Sequence, residues 1–395
     1  MKHFLSPRVA APLLAAAALT AAGSALADPD CNTLPGSTYI TGSSAVKPFM
    51  AGLGKALSGT TTLIYKSQGS CVGVDAVLSS TKITGTASYW DAAGVEKTCN
   101  VDPAGVVVDI GVSDVFATSC PGVNALPAGV GDFFGPNQVM ELVVPTASSQ
   151  ASISAEAAYF VFGFGKAGMV TPWLDDSQIF VRSPTSGTQQ MIARAITVPA
   201  EKWKGVSLAK SGDVLTSVAT SVSPEAAIGI LAADVADANR DKVKTLAFEA
   251  FKQKTCGYWP DSTATSFDKR NVRDGHYPIW GPLHFFANVG ANNVPTKPDA
   301  ANLIGYFTGK VPVPAGVNLL DLEISAHTVP ACAMKVQRAT ELGDVSSFTP
   351  TEACGCYFES KLNGNSPAAG CTACTKNAEC GGAATHCRYG YCEAN

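Results

Sequence analysis

Short apolar runs and helical spacings alternate along most of the chain, and the runs close in polar turns rich in Ser, Gly or Asp. "TYITGSSAVKPFMAGLGKAL" predicts a strand, a Gly/Ser turn and a helix with Pro48 in its first turn, where a missing N–H costs nothing. "TTLIYKSQGSCVGVDAVLSS" repeats the plan, with a β-branched strand through Tyr65 and a helix near Val74–Ser79. "GVVVDIGVSD" predicts a buried strand that ends in a polar turn, and "NQVMELVVP" another strand. A second group follows: the helix "SAEAAYFVFGFG", the strand "QIFVRS" and a helix beginning near Gly187. "KVKTLAFEAF" and "GPLHFFANV" predict late strands and "PDAANLIGYFTGK" a helix. Strand–turn–helix units in series predict an α/β fold with a largely parallel sheet. From about Thr351 the periodicity fades and cysteines crowd, which predicts a small disulfide-held tail over 351–395. No long internal repeat is visible.

The first 27 residues follow a different pattern. Basic Lys2 and Arg8, an apolar Ala-rich run and Ala25-Leu26-Ala27 predict a cleaved secretory leader, with a mature chain starting at Asp28. The run is too short and Ala-rich for a permanent span, and Cys31 lies too far past the cut for a lipid-anchored start. The expectation is a soluble, exported protein, in a periplasm or at or beyond the cell surface. The whole chain carries 28 Lys plus Arg and 32 Asp plus Glu; removing Lys2 and Arg8 leaves 26 against 32, a formal −6. That excludes a nucleic-acid surface, which needs a basic stripe to neutralise phosphates. Hydrophobic residues at 46% and charged ones at 15% allow a substantial core. Residues 28–350 are expected to form two lobes, one from about 28–137 and 283–350, the other from about 138–282.

All 13 cysteines follow the cut, seven of them between Cys354 and Cys392 and six scattered from Cys31 to Cys332. In an exported chain they are expected to form disulfides, and the odd total leaves at least one thiol free or paired with another molecule. "CTAC" with Cys354, Cys356 and Cys380 has a flavour of zinc, but export and the wealth of neighbours favour disulfides. His276, His284, His327 and His386 show no metal spacing, so no metal is expected. "GFGKAG" fits the dinucleotide pattern in the wrong context, with a helix before it and "MVTPW" after it, so it is read as a helix stop and no cofactor is expected. Neither a Gly-x-Ser-x-Gly elbow nor a His-Glu-x-x-His run occurs, and the chain is not expected to be an enzyme.

Chemistry gathers instead in the polar turns. In open α/β sheets ligands sit beyond the carboxyl ends of strands, where helices begin. Small hydroxyl residues occupy several such turns: Ser43 and Ser44, Ser70, Ser113 with Asp114, and Ser186-Gly187-Thr188. In "VRSPTSGTQQMIARAI" Arg182 stands four residues ahead of the last of these. Helix N-termini offer unpaired N–H groups and a partial positive charge. Glycine allows close approach, and a guanidinium is suited to two oxygens at once. Together these residues predict a seat for a tetrahedral oxyanion. Asp114 repels a bare anion but accepts from a ligand that carries a proton, as phosphate does near neutral pH and sulfate does not.

"TGSSAVKP", "SQGSCVGV", "DIGVSD" and "RSPTSGT" together resemble, in order and context, the phosphate-binding proteins of ABC-type phosphate uptake, members of the type 2 periplasmic binding proteins. "AAIGILAADVADANRDKVKTLAFE" and "VRDGHYPIWGPLHFF" extend the resemblance over roughly Thr38 to Lys310. It implies two lobes joined by crossover strands, closing on a ligand like a hinged clamp, with no chemistry performed on it. It also implies phosphate contacts from Ser44, Ala45 through its backbone N–H, Ser70, Asp114, Arg182, Ser186, Gly187 and Thr188. Implied partners are inorganic phosphate and the membrane subunits of an ABC transporter, for a monomeric receptor. The Cys-rich tail, Cys71 and Cys120 lie outside the family's pattern. They motivate the alternative of a surface or secreted interaction protein on the same fold that uses its tail to hold a partner.

Overall fold

Nearly every apolar run becomes a strand, and their order places the polar turns together. The computed structural model describes Met1 and residues 28–394; the rest of the expected leader lies outside the described residues. The first five strands of the main sheet are β1 (Ser37–Gly42), β2 (Thr62–Ser67), β3 (Thr86–Trp90), β4 (Glu96–Asn100) and β5 (Ile110–Ser113). β6 (Val130–Pro145), β7 (Ile179–Arg182), β8 (Val206–Leu208), β9 (Ile228–Ala232), β10 (Val243–Thr245) and β11 (Trp280–Asn288) complete it. Their spatial order is β8-β7-β9-β6-β11-β5-β1-β2-β3-β4, with β10 also paired to β6.

The sheet has two halves. In one, β1 lies between β2 and β5, all parallel; in the other, β7 lies between β8 and β9, again parallel. Sixteen-residue β6 runs through both, antiparallel to β11 at its start and to β9 and β10 at its end. The sheet is therefore mixed rather than largely parallel, because the connections between the halves are long strands and not helical crossovers.

Helices α1 (Lys47–Leu57), α2 (Ser70–Leu78), α3 (Ala155–Phe164), α4 (Gly187–Ala195) and α5 (Ser211–Ala219) cover the sheet, with a short α6 (Ala233–Asp237) after β9. α1 turns Phe49, Met50, Leu53 and Leu57 onto Ile40, Leu63 and Phe285 in one continuous apolar cluster. Each such side chain contributes about 1.5–3 kcal/mol relative to an exposed one. Further on lie α7 (Arg270–Arg273), α8 (Pro298–Phe307), α9 (Leu319–Ser325) and α10 (Gly355–Leu362). Among the described residues no helix is long and apolar enough to cross a membrane.

Three local expectations change. "GVVVDIGVSD" is two strands: Val106–Val107 pairs with Lys82–Ile83 and only Ile110–Ser113 enters the main sheet. Asp109 breaks the run, its carboxylate accepting the Tyr39 N–H at 2.9 Å. "KVKTLAFEAF" likewise divides, into β10 and a strand Ala247–Glu249 that pairs with Ser152–Ser154. α2 starts at Ser70, four residues before Val74, so Ser70 opens the helix.

Twelve cysteines form six disulfides: Cys31–Cys99, Cys71–Cys120, Cys332–Cys354, Cys356–Cys371, Cys374–Cys387 and Cys380–Cys392. The thirteenth, Cys256, is free and exposed. Cys374, Cys380 and Cys387 lie close together because two of these bridges are neighbours, not in a tetrahedral thiolate set.

Candidate functional site

Parallel strands point their carboxyl ends to one edge, and in both halves that edge faces the space between them. From the first half come Ser43, Ser44 and Ala45 after β1, Ser70 at the head of α2 and Asp114 after β5. From the second come Arg182 at the end of β7, Ser186, Gly187 and Thr188 at the head of α4, and Ser211 at the head of α5.

Asp114 is the centre of the first group. Its Oδ2 accepts from Ser43 Oγ at 2.5 Å and from Ser70 Oγ at 2.9 Å. Ser43 Oγ accepts in turn from the Ala45 N–H at 3.1 Å, and the Tyr65 hydroxyl donates to the Ser43 carbonyl. Burial pushes the Asp114 carboxyl up, opposed by the two serine hydroxyls, Arg182 and His284. Its other oxygen, Oδ1, is buried without a hydrogen-bond partner in the protein, as is Thr188 Oγ1. A buried polar atom left in this way is costly, so each marks where a ligand or water belongs.

Arg182 is 2% exposed. Its guanidinium donates from Nη1 to Ser211 Oγ at 2.7 Å, from Nη2 to the Ala209 carbonyl at 2.8 Å and from Nε to the Leu208 carbonyl at 3.3 Å. The fork is thus partly committed to the turn after β8, leaving one N–H on each terminal nitrogen for other oxygens. Burial lowers its pKa to about 10, with Asp114 and Asp213 opposing, so it is a cation at neutral pH.

The halves touch around this group. Cys71 N–H donates to the Thr185 carbonyl at 3.0 Å, and Ser44 Oγ lies 3.3 Å from Ser211 Oγ. Gly187 comes closest: a Cβ there would stand 2.2 Å from Ser70 Oγ, 2.7 Å from Asp114 Oδ2 and 2.9 Å from Asp114 Cβ. Ser70 Oγ can turn away only by leaving its bonds to Asp114, and the Asp114 Cβ cannot turn away at all. Gly187→Ala is therefore expected to hold the halves apart and weaken ligand binding about tenfold or more, the 1–3 kcal/mol of an overpacked contact. Calorimetry on the variant, with a thermal melt as control for folding, checks this.

The structure thus brings Ser70, Asp114 and Gly187 into contact, places Ala45 one hydrogen bond away through Ser43, and links Arg182 to Ser44 through Ser211. Ser186 is buried and caps α4 without a side-chain hydrogen bond. Arg182 and Asp114 interact through charge, not through a direct hydrogen bond. Sequence reasoning named Ser43 beside Ser44 in the first turn but gave the contact to Ser44, and it left out Ser211. Ser43, rather than Ser44, bonds Asp114; two adjacent serines in one turn gave no way to choose. Ser211 had a signal in "LAKSGDV", a hydroxyl and a glycine before a helical spacing, but lacked a neighbouring charge to single it out.

A groove of about 440 Å³ lies beside the group, which it meets at Ser44 and Ser211; Lys47, Lys66 and Lys210 line it together with Glu96 and Asp213. A larger one, about 700 Å³, lies behind it between Ser119–Pro121 and α4, where Arg194 bonds the Ser119 carbonyl at 3.0 Å. The buried, unpartnered oxygens of Asp114, Gln138, Thr188 and Asp234 line neither space.

No family model matches the chain, and none of the curated proteins does. Solved structures do. One from Clostridium perfringens, described as a phosphate ABC transporter substrate-binding protein with bound phosphate, is 15% identical over 75% of this chain and 100% of its own, with a TM-score of 0.51. An ABC-type phosphate transport receptor from Vibrio cholerae is 14% identical over 74% and 99%, TM-score 0.45. A phosphate-binding protein from Stenotrophomonas maltophilia is 14% identical over 74% and 90%, TM-score 0.44. At such identities the first likeness shows a shared fold alone and leaves the ligand to the site.

Proposed function

We propose that the chain is an exported binding protein that captures inorganic phosphate between the halves of its sheet and delivers it, chemically unchanged, to the membrane subunits of an ABC-type transporter. One observation carries the reading: a buried carboxyl group stands among anion-binding groups. Asp114 Oδ1 has no donor in the protein, yet the N-termini of α2 and α4 and the Arg182 cation surround it. A tetrahedral anion that keeps a proton satisfies both features. Its charged oxygens take the helix N–H groups and the guanidinium, and its O–H donates to Asp114. Six disulfides fit an oxidising compartment outside the cytosol. The leader pattern and the fold shared with a protein that holds phosphate support the same reading.

Titrating the chain from Asp28 onward with phosphate and with sulfate tests it. Phosphate is expected to bind tightly and sulfate weakly or not at all, because sulfate leaves two unpaired negative groups together. Asp114→Asn, which replaces one acceptor oxygen by a donor amide, should narrow the gap. Equal affinity of the native chain for the two anions would remove the role given to Asp114.

A further inference from the structure

The order of strands puts one more carboxyl group on the floor of the seat. From Arg182 to Asp114 the sheet runs β7, β9, β6, β11, β5. Arg182 ends β7 and Asp234 lies two residues past the end of β9; the two strands are parallel, so both side chains leave at the same edge. β9 pairs with β6 as Leu231 to Glu141 and Ala232 to Met140. Continued by two residues, that register sets Asp234 opposite Gln138, and there Gln138 Nε2 donates to Asp234 Oδ1 at 2.9 Å. Gln138 is also the partner of Gly281 on β11, and paired residues share a face. On that face a Cβ at Gly281 would lie 3.2 Å from Met191 Cε, 3.6 Å from Glu341 Oε1, itself buried and unpartnered, and 3.9 Å from the Asp114 carbonyl oxygen. Met191 is one helical turn beyond Thr188. The Gln138–Asp234 pair therefore sits beneath the head of α4, between the cation and Asp114.

Asp234 is 2% exposed and Gln138 fully buried. Asp234 Oδ2 and Gln138 Oε1 nevertheless have no hydrogen-bond partner in the protein, like Asp114 Oδ1 and Thr188 Oγ1. With the aspartates ionised, three of these four oxygens only accept. A fully deprotonated anion has nothing to give them; a ligand with O–H groups on two corners has.

Building on the phosphate reading of the seat, we infer that Asp234, oriented by Gln138, is its second proton acceptor, and that the ligand is held as the doubly protonated tetrahedral oxyanion. One O–H goes to Asp114 and the other to Asp234, while the remaining two oxygens take Arg182 and the helix N–H groups. Phosphate monoesters, which lose an acidic oxygen to carbon, are then rejected along with sulfate. Asp114 and Tyr65 interact electrostatically with Asp234 from the first half and Asp237 from its own helix. The other charged side chains on the elements against α6 are Asp132 and Glu141 of β6, Lys244 of β10 and Asp213 of α5. Burial, then Asp114 and Asp237, push the Asp234 carboxyl up, so its acceptor role is to be read at a pH where the free carboxyl is ionised.

The proton count distinguishes this from a structural role. Inorganic phosphate is titrated into the native chain and Asp234→Asn by calorimetry, in two buffers of different ionisation heat. The pH is alkaline enough that dissolved phosphate is mainly divalent and the free carboxyls are ionised. The native chain is expected to take up about one proton more per phosphate than the variant, and its affinity to rise more steeply as pH falls. Equal proton uptake overturns the inference, and so does a lower melting temperature of the variant with equal uptake, which would make Asp234 a cap of α6 only. The native chain alone gives a second reading should the variant not fold: its affinity is expected to weaken about tenfold per pH unit in that range, and a flat profile overturns the inference. A native chain that binds no phosphate at any pH sinks the phosphate reading itself; one that binds with equal proton uptake sinks only the role of Asp234.

Discussion

Arg182→Ala is expected to remove measurable phosphate binding. The charge of the guanidinium bears directly on Asp114 from the facing half, and it is buried, so its attraction for an anion is little screened by water. Truncating one partner of a desolvated charge pair costs about 2–5 kcal/mol, roughly thirtyfold to several thousandfold in affinity. A second cost is structural. Arg182 satisfies the Leu208 and Ala209 carbonyls and Ser211 Oγ; of these Ser211 Oγ is buried, and deserting it costs about 1–3 kcal/mol, so the variant should also melt earlier. Arg182→Lys separates the two effects. It restores the charge but not the planar fork, so it should recover part of the binding and little of the turn after β8. Calorimetry and thermal melts on both variants read this out; native affinity in Arg182→Ala would mean that Arg182 only supports α5.

The difference between what was and was not legible in the sequence follows from whether the relevant interaction is local. The turns after β1, β2 and β7 each announce themselves within eight residues through a strand, a small polar cluster and a helical spacing, and the one after β5 through a strand and a polar turn alone. Ser211 and Asp234 gain their meaning only from the order of strands. Asp234 sits in "GILAADVAD" like any helix-starting aspartate, and nothing near it in sequence says that β9 lies beside β7 or that Gln138 lies opposite. The sixteen residues of β6 were half hidden for a related reason. Gly131, Gly135 and Pro136 give its first part the look of a loop, whereas the strand needs glycine there. A Cβ at Gly135 would lie 2.6 Å from the Phe285 ring across the pair, and one at Gly131 equally close to Phe133. Cysteine content announced disulfides, but their pairing depends on distances that spacing does not encode.

Deleting residues 352–395 is expected to destabilise the whole chain, not to release an independent arm. Cys354 and Phe358 are buried in the same apolar cluster as the centre of the sheet, and Cys354 is bridged to Cys332. Arg273, 4% exposed, pairs with Glu359 at 2.5 Å and lies 5.3 Å from the centre of the Phe358 ring. Without the tail a buried guanidinium is left without its carboxylate, a loss of about 3–5 kcal/mol. A disulfide worth about 2–4 kcal/mol goes with it. Even if these overlap, they rival the roughly 5–15 kcal/mol that holds a typical domain folded. α10 also ties the halves together: Tyr357 and Lys361 bond Asp321 of α9, which packs on α1, while Glu359 holds α7 in the second half. A melt of the truncated chain should show a fall of roughly ten degrees or more, and an unchanged melting temperature would establish the tail as a separable module. A partner-holding role for the tail is better probed from its outside. Lys376→Ala, on a side chain 71% exposed, should leave the melting temperature unaltered. Any loss of retention at a surface in that variant would belong to the tail's own contacts, whereas the same loss on truncation follows from unfolding alone.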